Sequence, residues 1–299
     1  MQDELSIDEI RKFFRDPALS KLEWIQLTGG EPFLRNDLAS ITLCILESIR
    51  KAQIYISTNG LSPKAIDKFL RDIPRSYHNR ITIGLSVDGI GVLHDFIRGV
   101  PGSFLRVKET MDVLRNSEVR RNIGMVVMPI NYHHFPKVVE FAEENGATFG
   151  FQIAQKSNYF SNIIGGGPIE FSPSEFKNAI GVILGSINAT RMRPSARFDL
   201  KAKICYSYDK RKQVIPCFSS FHSFALDPEG NVFPCLPMMT PSLKFGNIRE
   251  KGFHEIWKSQ KATEIRRKII RKQCPGCYLE CEISRSIMES WPLLLKELL

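Results

Sequence analysis

The sequence has no apolar run long enough to span a bilayer, which excludes a membrane-crossing helix. Its most apolar stretch near the end, Trp291-Pro292-Leu293-Leu294-Leu295, is short and runs into Lys296 and Glu297. The opening Met1-Gln2-Asp3-Glu4 is acidic and precedes an amphipathic helix, so it lacks the pattern of a secretory signal, and cytoplasm is the expected location. There is no internal repeat and no low-complexity tract. No pair of acids and no nucleophile with a nearby base declares itself as a catalytic set, and Cys44 stands alone in an apolar helical stretch that reads as core. No cysteine occurs before it.

What is present is an ordinary globular composition, 43% hydrophobic and 24% charged, in a chain long enough for a barrel-sized domain and a smaller one. Acids are outnumbered 32 to 41, for a formal charge of +9. Much of that excess lies in Lys258–Lys272, where Lys258, Lys261, Arg266, Arg267, Lys268, Arg271 and Lys272 face one Glu264. A nucleic-acid patch is one meaning; a solvated helix face is the expected one, and nucleic acid is not an expected partner.

The other six cysteines, Cys205, Cys217, Cys235, Cys274, Cys277 and Cys281, all fall in the last third. Clustering of that kind favours metal over disulfides in a chain without a secretory signal.

The chain is organised around Trp24-Ile25-Gln26-Leu27-Thr28-Gly29-Gly30-Glu31-Pro32. An apolar run of strand type stops at two glycines, which leave bare backbone groups open to a ligand. Glu31 sets a carboxylate at the strand's end, Pro32 stiffens the exit, and Asp37 can begin the next helix. A tight turn between strand and helix would look the same.

Around this unit, Ser6-Ile7-Asp8-Glu9 forms a capping box for a helix to about Phe14. A helix is expected from Asp37 to about Lys51, a strand at Ile54–Ser57, and a helix capped by Ser62-Pro63. Further strands are expected at Ile81–Val87, Ile123–Met128 and Thr148–Ile153, with helical residues to Asn116 and over Pro136–Glu144 between them. This alternation implies parallel βαβ units in a barrel or wound sheet. The first strand is preceded by a helix with nothing to cross over from, so an earlier strand is expected to be missing. Residues 155–170 read as a loop and 190–213 as a linker, separated by a helix that a second capping box at Ser172–Glu175 opens. After Cys217, Phe224–Leu226 and Val232-Phe233 flank the turn Asp227-Pro228-Glu229-Gly230, a hairpin signature. A helix follows from Phe253 to about Arg271.

Cys217 and Cys235 from the hairpin's flanks, with Cys274-Pro275-Gly276-Cys277, form a two-plus-two thiolate set. Zinc and an iron–sulfur cluster both suit such a set. Cys281 is either an alternative ligand or a bystander, and Cys205 reads as structural.

The tetrapeptide Gly29-Gly30-Glu31-Pro32 resembles the S-adenosylmethionine (SAM) motif of the radical SAM superfamily. Cys217, Gly230 and Cys235, spaced C-x12-G-x4-C, look like the opening of the SPASM and twitch domains that follow radical SAM barrels. The resemblance implies an α/β fold, a partial parallel (β/α)6 TIM-like barrel over 1–200 followed by a small Cys-rich α+β metal domain over 201–299. It implies a SAM pocket at Gly29, Gly30, Glu31 and Pro32, with Ser57, Asn59, Ser86 and Asp88 at the next strand ends. Arg98, in His94–Gly99, would reach the methionyl carboxylate, and Ile123–Pro129 would line the adenine. An auxiliary [4Fe–4S] cluster would sit on Cys217, Cys235, Cys274 and Cys277.

The family also needs C-x3-C-x2-C after the first strand for the cluster that cleaves SAM. Its absence and that of the first strand are one gap, which a missing opening segment explains; a degenerate relative is the rival. With the triad restored a second [4Fe–4S] cluster is expected. The implied activity is a 5′-deoxyadenosyl radical that modifies a peptide or protein side chain, or oxidises a small molecule or cofactor precursor. A reductase or flavodoxin-type electron donor would serve it. A non-catalytic zinc- or cluster-bearing binding protein is the other alternative.

Overall fold

In the computed structural model, residues 4–155, 169–187, 199–205, 216–274, 277–279, 286 and 290 are described. They fall into two compact units, Ser6–Phe151 and Met1–Leu5 with Gln152–Leu299. This division lies well before residue 200, where the sequence suggests a change of function. Most of the expected loop and linker, Cys281, and residues 291–295 lie outside the described residues.

The first unit begins with α1 (Ile7–Phe14), opened by the expected capping box: Glu9 N donates to Ser6 Oγ and Ser6 N to Glu9 Oε2. Five strands follow in sheet order: β1 (Trp24–Leu27), β2 (Gln53–Thr58), β3 (Ile81–Ser86), β4 (Arg120–Val127) and β5 (Thr148–Ile153). The first four pair in parallel, with Ile54 between Ile25 and Ile81 and Ile56 beside Ile83. Between strands run α2 (Leu38–Ser48), α3 (Pro63–Asp72), α4 (Val92–Arg98), α5 (Ser103–Arg115) and α6 (Phe135–Glu144).

One face of this sheet carries Ile54, Ile56, Ile81, Ile83 and Ile123, all fully buried. Burial of each such side chain contributes roughly 1.5–3 kcal/mol. The alternate residues, Gln53, Tyr55 and Ser57 on β2 and Thr82, Gly84 and Ser86 on β3, occupy the other face, where β1, β2 and β4 are only half-buried.

Three expectations change in detail. The helical stretch to Asn116 is two helices, because Gly99 and Gly102 turn the chain with left-handed backbone (φ +66° and +75°). Asp37 precedes α2 without capping it; its carboxylate is turned onto Arg35 at 2.7 Å, which holds its pKa below the usual range. Ser62 likewise makes no side-chain cap, leaving the first turn of α3 to Pro63.

The second unit contains α7 (Pro173–Ser186), opened by the Ser172–Glu175 capping box, and a helical stretch at 199–205. Its sheet is small and antiparallel: β6 (Ala225–Leu226), β7 (Asn231–Phe233) and β8 (Gly246–Asn247). The expected hairpin is present, turned at Gly230 with φ +88°, where Asp227 accepts from Asn231 N at 2.7 Å. The expected single helix after Phe253 is two, α8 (Phe253–Trp257) and α9 (Gln260–Ile270). Ser259 takes an extended conformation between them and its hydroxyl accepts from Ala262 N, so the chain ends one helix and caps the next. Among the described residues no helix is long and apolar enough to cross a membrane.

Candidate functional site

Ligands bind at the carboxyl ends of parallel strands, where loops expose backbone groups. At the end of β1, Gly29 has φ +151°, and a Cβ on either Gly29 or Gly30 would meet no atom within 4 Å. The two glycines therefore border open space rather than a packed turn. Glu31, next in the chain, is a tie between strands. Its Oε1 accepts from Phe33 N (3.2 Å) and Thr58 Oγ1 (2.8 Å), and its Oε2 from Asn59 N (2.8 Å). Pro32 begins a single helical turn to Leu34, which Glu31 caps. Asn59 Oδ1 in turn accepts from Leu61 N, and Ser57 Oγ accepts from Gln26 Nε2 at 3.0 Å. The structure thus brings Gly29, Gly30, Glu31, Pro32, Ser57 and Asn59 to adjoining strand ends.

Ser86 and Asp88 lie at the end of β3. Asp88 is buried, 5% exposed, and both its oxygens are engaged: Oδ1 accepts from Val126 N (2.8 Å) and Oδ2 pairs with Arg98 Nη2 (2.8 Å). Burial pushes its carboxyl pKa up, while the Arg98 charge and the Val126 N–H oppose that rise. Arg98, expected to reach a ligand carboxylate, is directed instead at Asp88, and its Nε finds no acceptor among the described residues.

The neighbouring His94 is fully buried against Phe104, and its Nδ1 accepts from Asp88 N. Burial first, and the Arg98 charge second, lower its pKa to about 4, so the ring is neutral at pH 7. Asp95 caps α5 by accepting from Gly102 N, Ser103 Oγ and Phe104 N.

Two further residues complete this end of the sheet. Asn131, fully buried, donates to Asp88 O (2.9 Å) and Val126 O (2.8 Å) and accepts from Met128 N (2.7 Å). His134 Nδ1 accepts from Ile90 N. Neither belongs to a motif, so only their position after a strand in a βα unit could have pointed to them.

In the second unit, Cys217, Cys235, Cys274 and Cys277 are not disulfide-bonded. Cys235 is buried and follows β7; Cys274 follows α9. Tyr278, beside Cys277, is anchored by Gln155, which donates to Tyr278 O (2.7 Å) and accepts from its N–H (3.1 Å). Among the described residues, no three His, Cys, Asp or Glu side chains are grouped as a metal site. The chemistry of the donor set suits an iron–sulfur cluster. Cys205 is exposed, not packed as a structural cysteine would be.

Arg266 links the parts of this unit that carry Cys217 and Cys274. Its Nε donates to Ser220 O (2.6 Å) and its Nη1 to Trp257 O (2.8 Å), while the guanidinium lies 4.2 Å from the Trp257 ring centroid. Burial lowers its pKa, and it is not part of the exposed basic face formed by Lys261, Arg267, Lys268 and Arg271.

The comparisons agree with this layout. Residues 1–142 match the family model described as the radical SAM superfamily, and residues 217–281 match the SPASM model, an iron-sulfur cluster-binding domain. The chain is 26% identical to the AdoMet-dependent heme synthase of Methanosarcina barkeri, across 92% of this chain and 82% of that protein. It is 22% identical to the antilisterial bacteriocin subtilosin biosynthesis protein AlbA of Bacillus subtilis, across 85% of this chain but only 56% of AlbA. The crystal structure of Streptococcus suis SuiB bound to S-adenosylmethionine shares the fold with a TM-score of 0.64 at 16% identity, covering 88% of this chain and 61% of SuiB.

Proposed function

The chain belongs to the radical SAM superfamily and carries a C-terminal SPASM iron–sulfur-binding domain, and from that premise we propose that it binds SAM at the ends of β1–β3 and modifies a peptide substrate. The observation that carries the SAM assignment is the Gly29-Gly30 loop: bare backbone facing open space, held in place by Glu31 bonds to β2. SAM fits residues of this kind. Its ammonium needs acceptors, which the loop carbonyls and the remaining lone pairs of Glu31 provide. Ser57, Asn59 and Ser86 would meet its polar groups. Asp88 and Arg98, engaged with each other, would shape the pocket rather than fill it.

With a cleaving [4Fe–4S] cluster beside it, bound SAM would supply a 5′-deoxyadenosyl radical for hydrogen abstraction from a substrate. The C-x3-C-x2-C set that holds the cleaving cluster in the family does not occur in these 299 residues. Cys217, Cys235, Cys274 and Cys277 would hold an auxiliary [4Fe–4S] cluster, with Cys281 as a further thiolate. In functional terms residues 1–200 form the radical SAM core and 201–299 the auxiliary domain, and a reductase or flavodoxin-type protein would supply electrons.

The open face of the sheet favours a peptide. Gln26, Tyr55, Ser57, Ser86 and Asn122 are neutral donors and acceptors, and the one cation, Arg120, is bonded to Gln53. Among the described residues of β1–β4, this face has no row of cations for a polycarboxylate. Peptide amides, which both donate and accept, suit it. A tetrapyrrole substrate is the second reading, favoured by the resemblance to the heme synthase along most of both chains.

Anaerobically purified protein should contain iron and sulfide in equal amounts, and titration with iron coproporphyrin III should leave the porphyrin's Soret band unmoved. Zinc in place of iron would refute the cluster, and a saturable Soret shift would refute the peptide reading.

A further inference from the structure

The loop that follows Cys217 carries a buried polar group without a partner. Ser220 is fully buried, and its hydroxyl makes no hydrogen bond among the described residues. Its backbone is left-handed, φ +65°, a conformation that costs a serine energy and that glycine would adopt freely. The loop is nonetheless fixed. Phe218 N donates to Ser286 Oγ (3.1 Å), Ser220 N to Ser223 O (3.1 Å), and Arg266 Nε to Ser220 O (2.6 Å). Arg266 brings a second orphan to the same place: its Nη2 is buried and bonds nothing among the described residues, although Nε and Nη1 both reach carbonyls.

Arg266 also meets no carboxylate among the described residues. Its acceptors are neutral, and its guanidinium carbon lies 5.9, 5.7 and 4.2 Å from the ring centroids of Phe221, Phe245 and Trp257. Other recessed cations are answered: Arg98 by Asp88 and Lys203 by Asp199. Arg80 bonds only carbonyls, but all three of its nitrogens are engaged, at the carboxyl end of α2 where the helix dipole supplies negative charge. A cation drawn out of water needs an anion, and an unused N–H beside it marks where one would lie.

Ser220 follows Cys217 by three residues and Arg266 precedes Cys274 by eight, so their hydrogen bond joins the two segments that supply thiolates. An iron–sulfur cluster on four thiolates is a net anion with acceptor sulfurs, and it grows more anionic on taking up an electron. We propose that Arg266 and Ser220 are the charge and hydrogen-bond partners of the auxiliary cluster and hold its reduction potential up. This rests on the cluster reading above. Removing the cation favours the oxidised, less anionic form; removing the hydroxyl acts in the same direction and more weakly.

The test is a dithionite titration of the full chain, reconstituted anaerobically with iron and sulfide and followed by the paramagnetic resonance of the reduced cluster. No C-x3-C-x2-C occurs in these 299 residues, so the signal reports the auxiliary site. At the wild-type midpoint, Arg266→Gln should lower the ratio of reduced to oxidised cluster at least tenfold, a shift of about 59 mV for one electron. Arg266→Lys, which keeps the charge, should recover most of that ratio. Ser220→Ala should lower it about threefold, as loss of one hydrogen bond implies. Arg267→Gln removes the same charge from the exposed face of α9 and should leave the ratio near wild type. If Arg266→Gln takes up no iron, Arg266→Lys and Ser220→Ala decide the matter, the first staying near wild type and the second falling. Loaded Arg266→Gln with the wild-type ratio would overturn the proposal. So would Arg266→Lys as low as Arg266→Gln, Arg267→Gln as low as either, or an unchanged Ser220→Ala. A wild type that assembles no [4Fe–4S] cluster would overturn the cluster reading itself, and this proposal with it.

Discussion

The unit Ser6–Phe151 and the block at 216–274 reach order by different means. In the first, long-range polar ties are superimposed on a sheet with an isoleucine-rich buried face: Glu31 to Thr58 and Asn59, Asp88 to Val126, Asn131 to Asp88. In the second the strands are two or three residues long. Their place is taken by Phe224, Phe253 and Trp257 in mutual contact, with Phe245 beside Trp257 and Arg266 stacked on Trp257. The contrast teaches that a backbone-lined pocket is built by a scaffold that stands on its own. A thiolate set is built by short elements pinned at a few points, with stability that a metal ion would supplement.

The largest expected break in this contrast comes from the pin. Arg266→Ala removes two charged hydrogen bonds to carbonyls and a cation–π contact, and should cost about 4 kcal/mol. Hydrogen exchange resolved by peptide should rise across 216–274 and leave β2 and β3 unchanged. Equal loosening of both regions would show that they are one cooperative body.

Acid should do the reverse. Folded His94 takes a proton only near pH 4, whereas the unfolded chain takes it near 6.5. Its contribution is therefore complete above pH 6.5 and falls as pH drops toward 4, by about 3 kcal/mol in all. Exchange in β3 and α4 should accelerate over that window, and His94→Gln should flatten the response.

A smaller effect is expected on the open face. A Cβ at Gly84 would sit on the Tyr55 hydroxyl, which donates to Asn122 at 2.8 Å. Gly84→Ala should cost about 2 kcal/mol by overpacking, seen in urea unfolding. Tyr55→Ala, which removes the crowded ring carbons as well as the oxygen, should cost clearly less in the Gly84→Ala background than in the wild type.

The sequence made the βα rhythm legible because the strands are short, largely apolar runs that give way to turn signals, as at Ile81–Ser86 before Asp88-Gly89. Both capping boxes were legible because their partners lie three residues apart. The glycine loop and the two cysteine pairs were legible as spacings. What spacing does not carry is the partner of a long side chain. Arg98 was expected to face a ligand, but a buried carboxylate ten residues away in sequence holds it. Arg266 looked like one more base on a solvated helix, yet its position beside Ile265 and Ile269 turns it into the aromatic cluster. Asn131 carried no signal, since its bonds reach across 43 residues to Asp88.

The account depends most on the glycine loop as a SAM site. Calorimetric titration of SAM into the full chain, beside Gly30→Val, addresses it directly, because a Cβ there meets no atom within 4 Å and the branched side chain would occupy the space open to the ligand. A saturable heat in the wild type that the variant loses, at unchanged thermal stability, is the predicted result. Equal binding by the two proteins, or none by the wild type, would contradict it.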